Sequence, residues 1–484
     1  MTPPPETLAQ GELANTPFDA LSIGQSARIE RLCTARDLIV FAHASGNLNP
    51  IHLPSTDFTG DGQDDDPVAP SMWLASLISS ALGNRLPGPG SMYLSQNLNF
   101  EGRAHVGDHL VIEVTVTDIE TDLTVILSTT VKTREGDVLV TGEARVKAPE
   151  EPVYLDDIEV PDLQVQKHQH FDALLHLAQS LDPMPVAVVA PDDVNSLGGA
   201  LLARDEGLIL PILVGARDRI DQAADELGVS LDGLEIIDIE DEPASAARAV
   251  AMVHEGRVNA IMKGHLHTDG LLKHVVKAEG GLRTGKRISH VFVMDVPGRP
   301  QPILITDAAI NITPDLKTKV DIVQNAIDLA RAMGIDVPKV GILSAVETVN
   351  PAIPSTLDAA VLSKMADRGQ IKGGIVDGPL AMDNAIDIGA ARTKGITSLV
   401  AGHANVLVAP NLESGNMLAK ELTFLAHAEA AGMLVGACVP VILTSRADDD
   451  KARLASCALA VLYDVWLRTG KAAKPDLFAL ADGA

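Results

Sequence analysis

The chain has 484 residues, a length that favours two to four folding units over one core. Apolar residues make up 46% of it but aromatics only 3%, so its cores must be filled by Ala, Val, Leu and Ile, as in α/β proteins with buried parallel strands. A formal charge of −27 opposes nucleic acid and anionic membrane as partners, and any phosphorylated ligand needs a local cluster of Lys, Arg and backbone N–H groups to hold it.

Residues 1–20 are rich in Pro, Thr and small polar types and read as a flexible arm with neither a basic n-region nor an apolar h-region. From Thr34 the sequence T-A-R-D predicts a capping box feeding the helix DLIVFAHAS, which ends at Gly46 before an NLNPIH loop. A second helix, SMWLASLISSALGNRL, is apolar on nearly every side and stops at Pro87-Gly88-Pro89-Gly90. Four runs with alternating apolar residues follow, 91–100, 109–118, 122–133 and 138–147, with a hairpin signal at Glu135-Gly136-Asp137. Residues 21–148 are therefore expected to form an α+β unit in which an antiparallel sheet wraps a helix.

The Pro- and acid-rich stretch 149–165 reads as a linker. Beyond it, in 166–484, short apolar strands at Val186–Ala190, Ile209–Val214, Ala260–Lys263, Val340–Ser344, Gly374–Asp377, Val406–Ala409 and Val439–Thr444 alternate with amphipathic tracts. That alternation predicts repeated βαβ units and a largely parallel sheet, in one large α/β domain or two lobes with a cleft. The most apolar tract, Met433 to Leu443, is broken by Pro440 and too short to span a bilayer. Cys33, Cys438 and Cys457 have neither CxxC nor Cys/His spacing, which argues against a disulfide framework and structural zinc and fits a soluble cytoplasmic protein.

In an open parallel sheet, ligands bind beyond the carboxyl ends of the strands. After the strand at 260–263 come Lys263-Gly264-His265-Leu266-His267-Thr268 and then Arg283-Thr284-Gly285-Lys286-Arg287-Ile288-Ser289. Later strands lead into Thr306-Asp307, Asp377-Gly378-Pro379, Pro410-Asn411 and Ser445-Arg446. Lys263, Arg283, Lys286 and Arg287 are the basic concentration that an acidic protein needs for phosphates, or else charges at exposed loop tips. Gly264 allows backbone to approach an anion closely.

The tracts MKGHLHTDGLL, SHVFVMDVPG, ITDAAINITPDLKTK, VDGPLAMDNAI, AGHANVLVAPNLESGNMLAKEL and PVILTSRADDDKA resemble, in order, the phosphate acetyl/butyryltransferases across 166–484. LTSRADDD is nearer the butyryltransferase branch. The resemblance implies a two-lobed fold of the phosphotransacetylase and isopropylmalate dehydrogenase kind, acyl-CoA and phosphate or acyl phosphate as substrates, and no cofactor beyond coenzyme A itself as substrate. It places the catalytic Ser-Arg pair at Ser445 and Arg446, with Asp450 as the acidic partner and Asp449 as the alternative. It also implies that Lys263, Gly264, Thr268, Arg283, Arg287, Ser289, Asp307, Asn311, Asp383, Asn416 and Lys420 border the substrates.

The chemistry agrees with those residue types. Thiol attack on an acyl phosphate needs a base for the thiol proton, a donor for the oxyanion, and positive charge for the departing phosphate. A carboxylate, a Ser hydroxyl and an Arg fork supply these in turn. The same Ser-Arg-Ala-Asp run also reads as a helix N-cap with acidic first-turn residues.

FAHASGNLNPIH followed by SMWLASLISSALGNRLPGPGSMYLSQNLNF resembles the MaoC-type (R)-specific enoyl-CoA hydratases, which implies a hotdog fold over 21–148. His52 falls at that family's catalytic histidine, and Ser79 at the helix serine that supports the active-site carboxylate. Asn47 stands where the family has its catalytic Asp, and Pro70-Ser71 where it has His-Gly, whose glycine N–H faces the thioester oxygen. A neutral amide cannot act as the base, which leaves His52 alone. The expected protein is a phosphate acyltransferase carrying a degenerate acyl-CoA-binding hotdog unit. Its rivals are a bifunctional enzyme that also hydrates (R)-enoyl-CoA and a non-catalytic acyl-CoA sensor or scaffold. Both families imply a homodimer or higher homo-oligomer.

Overall fold

Residues 13–54, 66–155, 163, 168, 170–443 and 450–478 are described by a computed structural model. The chain forms two units, Met1–Val165 and Gln166–Gly483. Expected linker residues 156–162, 164 and 165 lie outside the described set.

The first unit contains β1 (Leu13–Ala14), β2 (Ser26–Leu32), α1 (Ala35–Ser45), α2 (Ser71–Asn84), β3 (Met92–Phe100), β4 (His109–Ile119), β5 (Thr124–Thr133), β6 (Val138–Lys147) and β7 (Tyr154–Leu155). At the start of α1, Asp37 N–H donates to the Thr34 hydroxyl and Thr34 N–H to the Asp37 carboxylate, which is the expected capping box; Gly46 closes the helix at φ 71°. The sheet order β2-β4-β5-β6-β3 is antiparallel throughout. Its inner face offers Leu110, Ile112, Val114, Val125, Leu127, Val131 and Val140 to Trp73, Leu74, Leu77, Ile78, Ala81 and Leu82 of α2. At about 1.5–3 kcal/mol per fully buried large side chain, the α2 face contributes on the order of 10 kcal/mol before conformational entropy is counted.

Three expectations are corrected in this unit. The arm is structured from Leu13, because β1 pairs with β7 and Asn15 brackets the backbone of Glu151 and Val153. The helix α2 is buried along one face only: Ser71, Met72, Ser76 and Ser79 are exposed, since the sheet curls over one side of it. And β2 is a fifth strand. Its sequence, SARIERL, interleaves charges with apolar residues, as suits an edge strand exposed on alternate positions.

The second unit opens with α3 (His170–Gln179), then β8 (Met184–Val189), α4 (Val194–Asp205), β9 (Ile209–Gly215), α5 (Arg217–Leu227), β10 (Glu235–Asp238), α6 (Glu242–His254), β11 (Ala260–Lys263) and α7 (Thr268–Val275). It continues with β12 (Ser289–Asp295), β13 (Ile303–Thr306), α8 (Leu316–Ala332), β14 (Lys339–Leu343), α9 (Pro354–Asp367), β15 (Ile375–Leu380), α10 (Met382–Ile386) and α11 (Ile388–Thr393). It closes with β16 (Val406–Val408), α12 (Leu412–Leu425), β17 (Glu429–Val435), β18 (Val441–Ile442) and α13 (Asp450–Thr469).

All the strands of this unit join one eleven-stranded sheet, in the order β10-β9-β8-β11-β18-β17-β12-β13-β16-β14-β15. The two flanks are parallel, as the βα alternation predicts. The centre is not, because β17 pairs antiparallel with both β18 and β12, and β12 pairs antiparallel with β13. One flank therefore runs opposite to the other, with buried Val, Ile, Leu and Ala packed against helices on both faces. Among the described residues, no helix is long and apolar enough to cross a membrane.

Candidate active site

The strand β13, Ile-Leu-Ile-Thr, is wholly buried and delivers Asp307 at its carboxyl end. Thr306 donates its hydroxyl to His290 O at 2.8 Å, fixing that end to β12. The Asp307 side chain, 2% exposed, then organises the turn that follows. One carboxylate oxygen accepts from Ala309 N and Ile310 N, each at 3.0 Å. The other accepts from Asn311 N at 3.1 Å and Asn311 Nδ2 at 2.5 Å. Asn311 Nδ2 also donates to Ile288 O at 3.0 Å, so the turn after β13 is tied to the entry of β12.

That entry carries the basic loop. Thr284 donates to Gly436 O at 2.7 Å, Lys286 Nζ lies 2.7 Å from Asp328 Oδ2, and Arg287 N donates to Asp321 Oδ2 at 3.0 Å. Arg283, Lys286 and Arg287 thereby line a cavity of about 230 Å³ together with Lys317, Asp315 and Asp321. Neither the Arg283 nor the Arg287 guanidinium has an ion-pair partner among the described residues. Asp315 caps α8 through Thr318, and that hydrogen bond, with Arg287 and Lys317 nearby, holds its carboxyl below the usual range.

A larger cavity, about 600 Å³, opens beyond the carboxyl ends of β14 and β16. Its polar lining includes Ser344, Ser355, Asn411, Ser414, Lys319 and Asp358. Lys319 is 5% exposed and its Nζ sits 2.7 Å from Asp358 Oδ2, while the Ser344 and Ser355 hydroxyls are 2.8 Å apart. Asn411 caps α12 by accepting from Ser414 N at 2.9 Å. The first turn of α12 closes onto the Asp307 turn: Asn416 Nδ2 donates to Ala308 O at 3.2 Å, and a Cβ on Gly415 would lie 2.5 Å from Asp307 O. Only glycine permits that approach.

The structure therefore gathers Arg283, Arg287, Asp307, Asn311 and Asn416 around one end of the second flank. Ser289 belongs there in position but is fully buried, its hydroxyl accepting from Asn325 Nδ2 at 3.0 Å. Asp383 is paired with Lys394 at 3.2 Å, and Lys420 is exposed on α12. Lys263 does not join the basic loop. It ends β11 on the opposite flank, and its buried amine donates to Gly264 O and Leu266 O at 3.1 and 3.2 Å. Gly264 is required by packing, since a Cβ there would stand 2.3 Å from Ala190 O. Thr268 opens α7. Asp450 begins α13 with its side chain 77% exposed, 3.5 Å from Arg453. Ser445, Arg446 and Asp449 lie outside the described residues. Sequence reasoning passed over Lys319 and Asp358, although Ser344 at the end of β14 marks the same strand-end rule that found Asp307.

In the first unit, the Asn47 amide oxygen accepts from Asn49 N at 3.2 Å, and no hydrogen bond joins Asn47 to Ser79. The expected support is absent because Asn47 closes its own turn instead. His52 Nδ1 lies 2.7 Å from Val68 O, which as a donated bond leaves Nε2 the acceptor nitrogen. Ser71, the first residue of α2, is exposed.

Residues 244–461 match the family described as phosphate acetyl/butaryl transferase. A phosphate acetyltransferase from Rhizobium meliloti is 57% identical over 303 residues, 63% of this chain and 96% of its own length. The crystal structure of a branched-chain phosphotransacylase from Enterococcus faecalis V583 is 30% identical with a TM-score of 0.51, covering 58% of this chain and 99% of its own. The unliganded (R)-hydratase PhaJ1 from Pseudomonas aeruginosa is 34% identical over 32% of this chain and 99% of its own, with a TM-score of 0.31. The chain is an acyl-transferring enzyme of the α/β class. It belongs to the phosphate acetyl/butaryl transferase family and is a phosphate acyltransferase.

Proposed function

We propose that the enzyme exchanges a short acyl group, acetyl first, between coenzyme A and phosphate, with the cavity bounded by Arg283, Lys286, Arg287 and Lys317 holding a phosphate-bearing part of the substrates. That gathering of cations in a chain of charge −27 is the observation that carries the reading. Acetyl is favoured by the 57% identity to a protein named phosphate acetyltransferase, although the LTSRADDD tract leans toward butyryl.

In the direction from acyl phosphate to acyl-CoA, the coenzyme A thiol gives its proton to a carboxylate, Asp450 or Asp449, and sulfur attacks the acyl carbon of the acyl phosphate. The Ser445 hydroxyl donates to the tetrahedral oxyanion. The carbon–oxygen bond to phosphate then breaks, and phosphate departs into the Arg446 fork. These steps call for no metal or redox cofactor. Asp307 and Asn311 act by holding the β12 entry loop in place. Because β18 and β13 run in opposite directions, a single cleft lined from both requires the sheet twist, about 20–25° per strand step, to swing the two lobes toward one another. This is the isopropylmalate dehydrogenase-like arrangement, and the reversal at β17 and β12 supports it.

The hotdog unit serves as a degenerate acyl-CoA module, since Asn47 offers an amide where a base is needed. A homo-oligomer in the cytoplasm completes the reading. The test is Arg446→Gln. Loss of a charge-assisted bond of about 1.5–3 kcal/mol should raise the KM for phosphate or lower turnover by roughly 10- to 150-fold, with folding unchanged. Unaltered phosphate kinetics in the folded variant would remove Arg446 from the site.

A further inference from the structure

One group of ligand-type side chains lies outside both cavities. Asp295 ends β12, Glu429 begins β17, and the two are paired in register across the antiparallel centre of the sheet. His168, in the segment before α3, meets them there, so that one donor atom from each of the three residues lies within 4.8 Å of the other two.

Asp295 is 1% exposed. One of its oxygens accepts from His170 N at 2.8 Å and Phe171 N at 3.1 Å, fixing the start of α3. The other, Oδ1, is buried without a hydrogen-bond partner, an unfavourable state for a desolvated carboxylate oxygen. His168 Nδ1 lies 3.2 Å from Asp295 O; donating there, it leaves the Nε2 lone pair for a ligand, the arrangement by which a backbone carbonyl orients a metal-binding imidazole. Glu429 Oε2 is also buried without a well-directed hydrogen bond, although Lys451 Nζ is 3.1 Å away. Lys451 is shared with Asp172 at 3.4 Å. Lys451 thus pairs with Asp172 and Glu429, while the Asp295 carboxylate has no ion-pair partner among the described residues.

We propose that His168, Asp295 and Glu429 bind one divalent cation through an imidazole nitrogen and two carboxylate oxygens, Zn²⁺ before Mn²⁺ or Mg²⁺. A nitrogen donor with oxygens suits a borderline ion, and water fills the remaining positions. The ion fastens His168 to the middle of the eleven-stranded sheet. Its ligands stand at 168, 295 and 429, too far apart for any spacing motif, and the expectation of no structural zinc rested on CxxC and Cys/His spacing.

The experiment uses the full chain, stripped with chelator, incubated with ZnCl₂ in excess Mg²⁺, passed over a sizing column and assayed for bound zinc. The wild type should retain one Zn²⁺ per chain and gain thermal stability from it, while His168→Ala and Glu429→Gln lose that equivalent and the stabilisation. His265→Ala, which disrupts the other His and carboxylate group, Asp192, Asp193 and His265, should keep both. Circular dichroism establishes that each variant is folded, and two independent ligand variants guard against one failing to fold. Absence of retained zinc in the wild type overturns the proposal, as does equal retention by His168→Ala and Glu429→Gln or loss in His265→Ala alone.

Discussion

Replacing Asp307 by Asn exchanges one carboxylate oxygen for an NH₂ group in a side chain that accepts four hydrogen bonds, two at each oxygen, while only 2% exposed. Whichever way the amide turns, two N–H donors of the 309–311 turn face a donor. Each charge-assisted bond is worth about 1.5–3 kcal/mol, and the two lost at one oxygen share their partners, so the expected destabilisation is about 2–4 kcal/mol, less than the simple sum. The turn also holds Ile288 O through Asn311, so the basic loop at 283–287 should loosen and the KM for coenzyme A substrates should rise. Thermal unfolding of the full chain, followed at the transition that coenzyme A shifts, reads the first effect, and initial-rate kinetics the second. A folded Asp307→Asn protein with both quantities within scatter of the wild type would refute the role given to this turn.

Burial pushes the His290 imidazole down to about 4, against a smaller opposite effect of Asp307. Because the unfolded chain takes up the proton near pH 6.5, stability from this group is complete above that value and is lost as pH falls toward 4, by at most about 3 kcal/mol. His290→Gln should flatten the fall in unfolding midpoint between pH 7 and 4.5; an unchanged slope counts against it. Arg283→Gln combined with Arg287→Gln should raise the KM for acyl-CoA about tenfold with no shift in unfolding midpoint, since both side chains are exposed; an unchanged KM would leave them as loop charges. Hydration of crotonyl-CoA should be absent or very weak, because a missing base costs about 10²–10⁴ in rate. Turnover on the order of 10 per second would favour the bifunctional enzyme instead.

The parallel flanks were legible because strands such as Ala260–Lys263, apolar up to its final lysine, and Val406–Val408 are short, buried and separated by amphipathic helices. The centre was not. The strands Ser289–Asp295 and Glu429–Val435 carry His, Asp, Glu or Gly among their apolar residues, and their antiparallel pairing reverses a pattern that elsewhere reads as βαβ. At the site, Asp307 followed from its place after a strand and Asn311 from the family resemblance, whereas the burial of Ser289 against Asn325 was not legible because it depends on α8 packing over β12. Lys319 and Asp358 are separated by 39 residues and meet only once α8 and α9 are in place. Ser79 matched a family position and Asn47 stood where the family has an Asp, yet the local turn took the Asn47 amide for itself.

Phosphate is the acyl acceptor of the proposed reaction. Purified protein is incubated with acetyl-CoA, propionyl-CoA and butyryl-CoA in turn, with and without inorganic phosphate, and free coenzyme A thiol is followed over time. The expected result is thiol release that depends on phosphate, is fastest with acetyl-CoA, and is matched by acyl phosphate formed in equal amount. A folded protein that releases no thiol with any of the three, or releases it equally without phosphate, would contradict acyl transfer to phosphate.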